Sequence, residues 1–159
     1  MTTPAAAFFK TIIGRRLGIN GYGTLASRQT GVQIDLGNKI ADAAITVSAE
    51  GATTANTRDL TIQLKDANGK ALDEAGYFEI VLFSSSAMTD FVATGGSTGV
   101  VAGANGKLQA VIAKKLFRAI SDTAGLWVGT YLDTGTDAGY LAVRLPNGRI
   151  IGGGTITNA

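Results

Sequence analysis

Histidine and cysteine are both absent from this chain of 159 residues. Imidazole and thiol supply most nucleophilic, acid-base and transition-metal chemistry near neutral pH, so histidine triads, cysteine nucleophiles and histidine- or cysteine-bound zinc are excluded, and what remains points to a surface that binds. Without cysteine no disulfide forms, and the redox compartment stays open. Proline stands only at positions 4 and 146, which excludes a proline-rich linker or a collagen-like repeat. No run approaches the ~20 apolar residues that span a bilayer. Met1 to Ile13 is apolar in patches but has no basic leader, and Lys10, Arg15 and Arg16 interrupt it, so it reads poorly as a secretion signal. The expectation is a soluble, non-enzymatic protein with no cofactor, no metal and no membrane contact.

What the chain has in excess is glycine, 22 residues of it, about twice the ordinary share of ~7%. Four Asn-Gly dipeptides, at Asn20-Gly21, Asn68-Gly69, Asn105-Gly106 and Asn147-Gly148, mark tight turns, because both residues accept positive φ readily. The length is enough for one domain with its own core. Charge is unevenly placed: residues 1–41 hold Lys10, Arg15, Arg16, Arg28 and Lys39 against Asp35 alone, a net of +4, whereas residues 42–159 carry a net of −2. A basic arm on a mildly acidic body suits an anionic partner, or simply keeps the arm in solution.

Period-two patterns run through the chain. Val32, Ile34 and Leu36 alternate with polar residues, as do Ile45 and Val47, and most clearly Leu60, Ile62 and Leu64 within Asp59 to Lys65. Tyr77 to Phe83 is apolar at almost every position, as in a strand covered on both faces. Ser84 to Gly106 reads as one long, glycine-dotted loop, a length that tends to go with function or mobility. Leu108 to Ile120 fits a helical stripe about as well as two short strands. Its flanks, Asn105-Gly106 and Ser121 to Gly125, favour strands. Leu126 to Leu132 alternates, and Tyr140 to Leu145 with Arg149 to Ile156 forms a closing hairpin in which Pro146 pre-sets φ and Gly148 takes the left-handed position. Gly152-Gly153-Gly154 implies a bulge. The fold class expected is all-β, an antiparallel β-sandwich of immunoglobulin-like size over residues 42–159, preceded by an extended N-terminal arm over residues 1–41.

Several motifs tempt. Asp133-Thr134-Gly135 resembles the aspartic protease signature, but only 16 residues separate Gly135 from Ile151, too few for that fold's intervening strands. Asp66-Ala67-Asn68-Gly69 begins like a calcium loop, yet the twelfth position is Tyr77. Gly21 to Ala26 fits the loose dinucleotide pattern with no strand before it. Trp127 or Tyr131 is a stacking platform if the domain binds sugars, and otherwise belongs to the core. On the arm, Phe8, Phe9, Arg15, Arg16 and Tyr22 are the candidate partner-binding residues, since aromatic and arginine side chains dominate protein interfaces. Stacking of Phe8 and Tyr22 on nucleic acid is the lesser option, the cations being few.

The segments Ile62 to Lys70, Phe117 to Gly125 and Tyr140 to Arg149 resemble the β-sandwich module of tailed-bacteriophage virion structural proteins, over roughly residues 59–159. The resemblance implies a place on the virion, either head or tail. A capsid decoration or cement protein of this kind sits on the outer capsid surface as a trimer and clamps neighbouring major capsid subunits. The alternative within the same virion is a tail or neck adaptor or a fibre-attachment protein, and a carbohydrate-binding module is the third reading.

Overall fold

The computed structural model describes residues 39–52 and 54–158, and among them are nine strands and no helix. They are β1 (Asp42–Val47), β2 (Thr57–Lys65), β3 (Tyr77–Phe83), β4 (Gly99–Ala102), β5 (Lys107–Ile112), β6 (Leu116–Ile120), β7 (Leu126–Leu132), β8 (Tyr140–Arg144) and β9 (Ile150–Thr155). Two antiparallel sheets form, one in the order β1-β2-β7-β4 and the other β5-β6-β3-β8-β9. Together they make the β-sandwich that the alternating patterns implied.

Alternation decides which side chains enter the space between the sheets. Leu60, Ile62 and Leu64 of β2 and Trp127 and Tyr131 of β7 meet Phe78, Ile80 and Leu82 of β3 and Leu141 and Val143 of β8, all wholly buried. Burying each such aliphatic or aromatic side chain stabilises the fold by about 1.5–3 kcal/mol. Trp127 meets Phe78 edge to face, with ring centroids 6.4 Å apart, and its indole N–H donates to the Lys107 carbonyl at 3.2 Å. That arrangement favours the aromatic quadrupoles and leaves the one polar atom of the ring satisfied. The stacking platform considered at Trp127 or Tyr131 is therefore not present, since neither ring reaches solvent.

The ambiguous stretch resolves as two strands. Phe117 and Ala119 point into the core while Arg118 and Ile120 point out, a period of two that a helical stripe would not produce. Past Tyr77, which is exposed, strand β3 has both faces covered: beyond the main core, Val81 and Phe83 join Ala142, Met88, Leu116 and Tyr140 in a smaller apolar cluster. Phe91 stacks on Phe83 with planes 6° apart. Ser84 to Gly106 is thus not one loop. Phe91 bridges to Phe83, and β4 pairs with β7 from within it.

Three turns share one design. Gly69, Gly125 and Gly148, all at positive φ, donate their N–H to the carbonyls of Asp66, Asp122 and Leu145, while the N–H groups of those residues reach Lys70, Leu126 and Arg149. This is a type I turn closed by a left-handed glycine. Of the three Asn-Gly dipeptides among the described residues, only the glycine takes positive φ, and Asn105-Gly106 joins strands of different sheets and builds no hairpin. Gly153 is the bulge expected in β9. It lies opposite Ile45 of β1, where an added Cβ would stand 2.5 Å from Ile45 Cγ2, so its bareness lets the two sheets close along that edge.

The end of the chain is tied down by a polar plug. Asn158, almost fully buried, donates through Nδ2 to the carbonyls of Asn56 and Asp133, both at 2.9 Å, and accepts from Arg58 Nε at 3.0 Å. Arg58 also donates to the Ser48 and Thr157 carbonyls. The expected strand at Val32 to Leu36 and the arm residues Phe8, Phe9, Arg15, Arg16 and Tyr22 lie outside the described residues.

Candidate binding surface

The outward-facing rows of the two sheets differ in chemistry. On the four-stranded sheet, cross-strand neighbours are Thr46, Thr61 and Val128 in one row and Asp59, Thr130 and Val101 in the next. On the five-stranded sheet, one row runs Lys107, Ile120, Tyr77, and the next runs Gln109, Arg118, Glu79, Arg144, Ile150. Tyr77, Ile120 and Ile150 are each more than 40% exposed. Exposed apolar side chains set among arginines form the composition typical of contact surfaces.

Glu79 organises that face. It is 7% exposed, an acid within an otherwise apolar strand. The Tyr77 hydroxyl donates to Glu79 Oε1 at 3.0 Å, Arg118 Nε stands 3.9 Å from the same oxygen, and Arg144 Nη2 forms an ion pair with Oε2. The contact with Arg144 is electrostatic and not an aligned hydrogen bond. Loss of hydration, followed by the bond to the Glu79 carboxylate, pushes the Tyr77 hydroxyl above its ordinary range. The arginine side chains remain half exposed, at 57% for Arg118 and 50% for Arg144. Two open grooves flank Tyr77: one of about 340 Å³ bounded by Glu79, Arg144, Pro146 and Ile150, the other of about 240 Å³ bounded by Lys107, Gln109, Arg118 and Ile120.

Asp133 and Asp66, the acids singled out in the sequence, serve turns, and Asp122 does the same. Asp133, 2% exposed, accepts at Oδ1 from the N–H groups of Ser97 and Gly135, at 3.0 and 2.9 Å, and at Oδ2 from that of Asp137 at 3.2 Å. A carboxylate so occupied fixes the loops before β4 and after β7. Asp66 accepts at Oδ1 from the N–H groups of Lys70 and Asn68, and these bonds, that from Lys70 foremost, hold its carboxyl below the usual range. Asp122 is held low first by the Asn105 amide and then by the Leu126 and Ala124 N–H groups. Among the described residues no three acidic side chains lie together as a metal site would require. The glycine loop before β4 is fastened as well, since Lys114 Nζ donates to the carbonyls of Gly96 and Ser97 at 3.1 and 2.7 Å.

Sequence reasoning did not find Tyr77, Glu79, Arg118 and Arg144 as a group. A signal was present: Glu79 is the one charge in Tyr77 to Phe83, and Arg118 and Arg144 are outward positions of alternating strands. Their register became available only once β6, β3 and β8 were placed side by side. The arrangement offers two half-exposed guanidinium groups, a phenol and apolar side chains on one face of a sheet, which is chemistry for binding. Comparison of the chain with protein-family models, characterised proteins and solved structures finds no match.

Proposed function

We propose that the chain is a non-enzymatic structural protein of a tailed-phage particle, a decoration or cement subunit on the outer capsid surface. In this reading the arm, residues 1–41, clamps neighbouring major capsid subunits through Phe8, Phe9, Arg15, Arg16 and Tyr22, and the subunits act as trimers. The observation that carries it is the resemblance of the segments at 62–70, 117–125 and 140–149 to virion β-sandwich modules. Each of these segments is a strand that runs into one of the three glycine-closed turns. In keeping with it, Asp66, Asp122 and Asp133 are committed to holding loops.

The energetics fit a clamp. One standard interface buries ~1,600 Å², and ordering a segment on binding costs about 2–5 kcal/mol. Three arms joined through one trimer raise one another's effective concentration, so modest contacts add up to lasting attachment. Quantitative mass spectrometry of purified particles tests the location. Hundreds of copies per particle place the chain on the shell; about a dozen or fewer place it at the tail or neck; none in the particle overturns the reading.

A further inference from the structure

We infer that the outer face of the five-stranded sheet around Tyr77 is a docking surface, separate in chemistry from the arm, for a protein segment that sets carboxylates on Arg118 and Arg144 and apolar side chains on Tyr77, Ile120 and Ile150. Charge complementarity is the first argument. Lys107, Arg118 and Arg144 stand in two adjacent rows in which Glu79 is the one acid among the described residues. Both Glu79 oxygens are already engaged, by Tyr77 and by Arg144. A guanidinium carries five donors, so each arginine retains outward donors after meeting Glu79. Carboxylates are the planar acceptors that such forks take two bonds at a time.

Preorganisation is the second argument. Glu79 sits between Arg118 and Arg144 in the same register row, one strand to either side, pairing with Arg144 and standing 3.9 Å from Arg118 Nε, so its charge draws both side chains toward it. Less rotamer freedom is then lost when a partner binds. The third argument selects protein over nucleic acid. Tight nucleic-acid binding at physiological salt rests on neutralising several phosphates, and three cations around one carboxylate provide little for that. Tyr77, Ile120 and Ile150, each over 40% exposed, give the arginines an apolar surround that suits side chains and not a sugar-phosphate backbone. The two grooves beside Tyr77 are where the partner's apolar side chains would seat.

The test is titration of the isotope-labelled full chain, followed by amide chemical shifts, with three probes: a capped Gly-Glu-Leu-Glu-Val-Glu-Gly peptide, its lysine-for-glutamate counterpart, and a short oligothymidylate. The inference predicts saturable shifts with the acidic peptide, centred on Tyr77, Arg118, Ile120, Arg144 and Ile150. Affinity falls severalfold as salt rises from ~50 to ~200 mM. Arg118→Gln, at an exposed position, weakens binding about fivefold, and Ile120→Ser weakens it while leaving the charges in place. Shifts that are absent, that spread over the whole surface, or that are equal with the lysine peptide overturn the inference. Binding of the oligothymidylate at these residues in preference to the acidic peptide also overturns it, and reassigns the face to nucleic acid.

Discussion

Replacing Asp133 separates a carboxylate that holds loops from one that works on a substrate. In Asp133→Ala three N–H groups, those of Ser97, Gly135 and Asp137, lose their acceptor. Each bond to a charged acceptor contributes ~1.5–3 kcal/mol when buried, but Ser97 and Gly135 are themselves exposed and water can reach part of the site. The lower end applies to each bond, and the expected loss is ~3–5 kcal/mol, a large share of the ~5–15 kcal/mol that holds a typical domain. Asp133→Asn keeps one acceptor oxygen, so the bonds at Oδ1 survive in weakened form, while its amide N–H₂ confronts the Asp137 N–H. It should cost ~1–3 kcal/mol. Urea unfolding at pH 7 reads this out directly, because Trp127 is the one tryptophan and lies wholly buried. With a urea slope of ~1.5 kcal/mol/M, the alanine midpoint falls by about 2–3 M. If both variants unfold within ~0.5 kcal/mol of the parent, the account of Asp133 as a loop anchor is wrong and a chemical role for it reopens.

Two glycine substitutions should differ in cost although both sites have positive φ. Gly106→Ala places a Cβ 2.4 Å from the Ile120 carbonyl oxygen and 2.5 Å from Trp127 Cδ1, whereas Gly148→Ala meets nothing within 4 Å. Thermal unfolding should show a loss of ~1–2 kcal/mol for Gly148→Ala from backbone strain alone, and at least ~3 kcal/mol for Gly106→Ala; equal losses would contradict the packing at Trp127. The Tyr131 hydroxyl is buried without a hydrogen-bond partner, and burial first, then the nearby charges of Asp133 and Asp137, push it up to about 12 from the ordinary 10.0. Its neutral form is favoured in the folded state, so its stabilisation is complete below pH 10 and disappears as pH rises through about 12, on the order of 2–3 kcal/mol in all. Tyr131→Phe should therefore be neutral or stabilising at pH 7 and should lose less stability than the parent between pH 10 and 12 in alkaline denaturation; parallel alkaline curves would refute that role.

The strands that the sequence made legible are those whose alternation is long and uninterrupted. Leu60, Ile62 and Leu64 announced β2, and the run from Tyr77 to Phe83, apolar at every position but Glu79, announced a strand largely covered on both faces. Strand β4 was not legible: Gly99 to Ala102 is four residues long, follows a glycine-rich loop and draws its register from β7. Turn type was half legible, because Pro146 and Gly148 fix their own torsions locally. At Asp66 and Asp122 the aspartate side chain, by capping N–H groups two and four residues on, holds the turn and leaves Gly69 and Gly125 to take the left-handed position. The candidate binding surface was least legible of all. Arg118, Glu79 and Arg144 are far apart in the chain and become neighbours only through pairing of β6, β3 and β8, a tertiary fact that no local window carries.

The central claim is that residues 1–41 do the fastening and the sandwich carries them. Its most direct measurement is co-sedimentation of the full chain, and of a chain lacking residues 1–39, with stripped particles of the tailed-phage kind that the proposed function assigns to it; near-ultraviolet circular dichroism and Trp127 emission establish that the shortened chain keeps its fold. The account predicts that the full chain pellets with the particles to a fixed copy number and the shortened chain stays in the supernatant. Equal pelleting of both would contradict it.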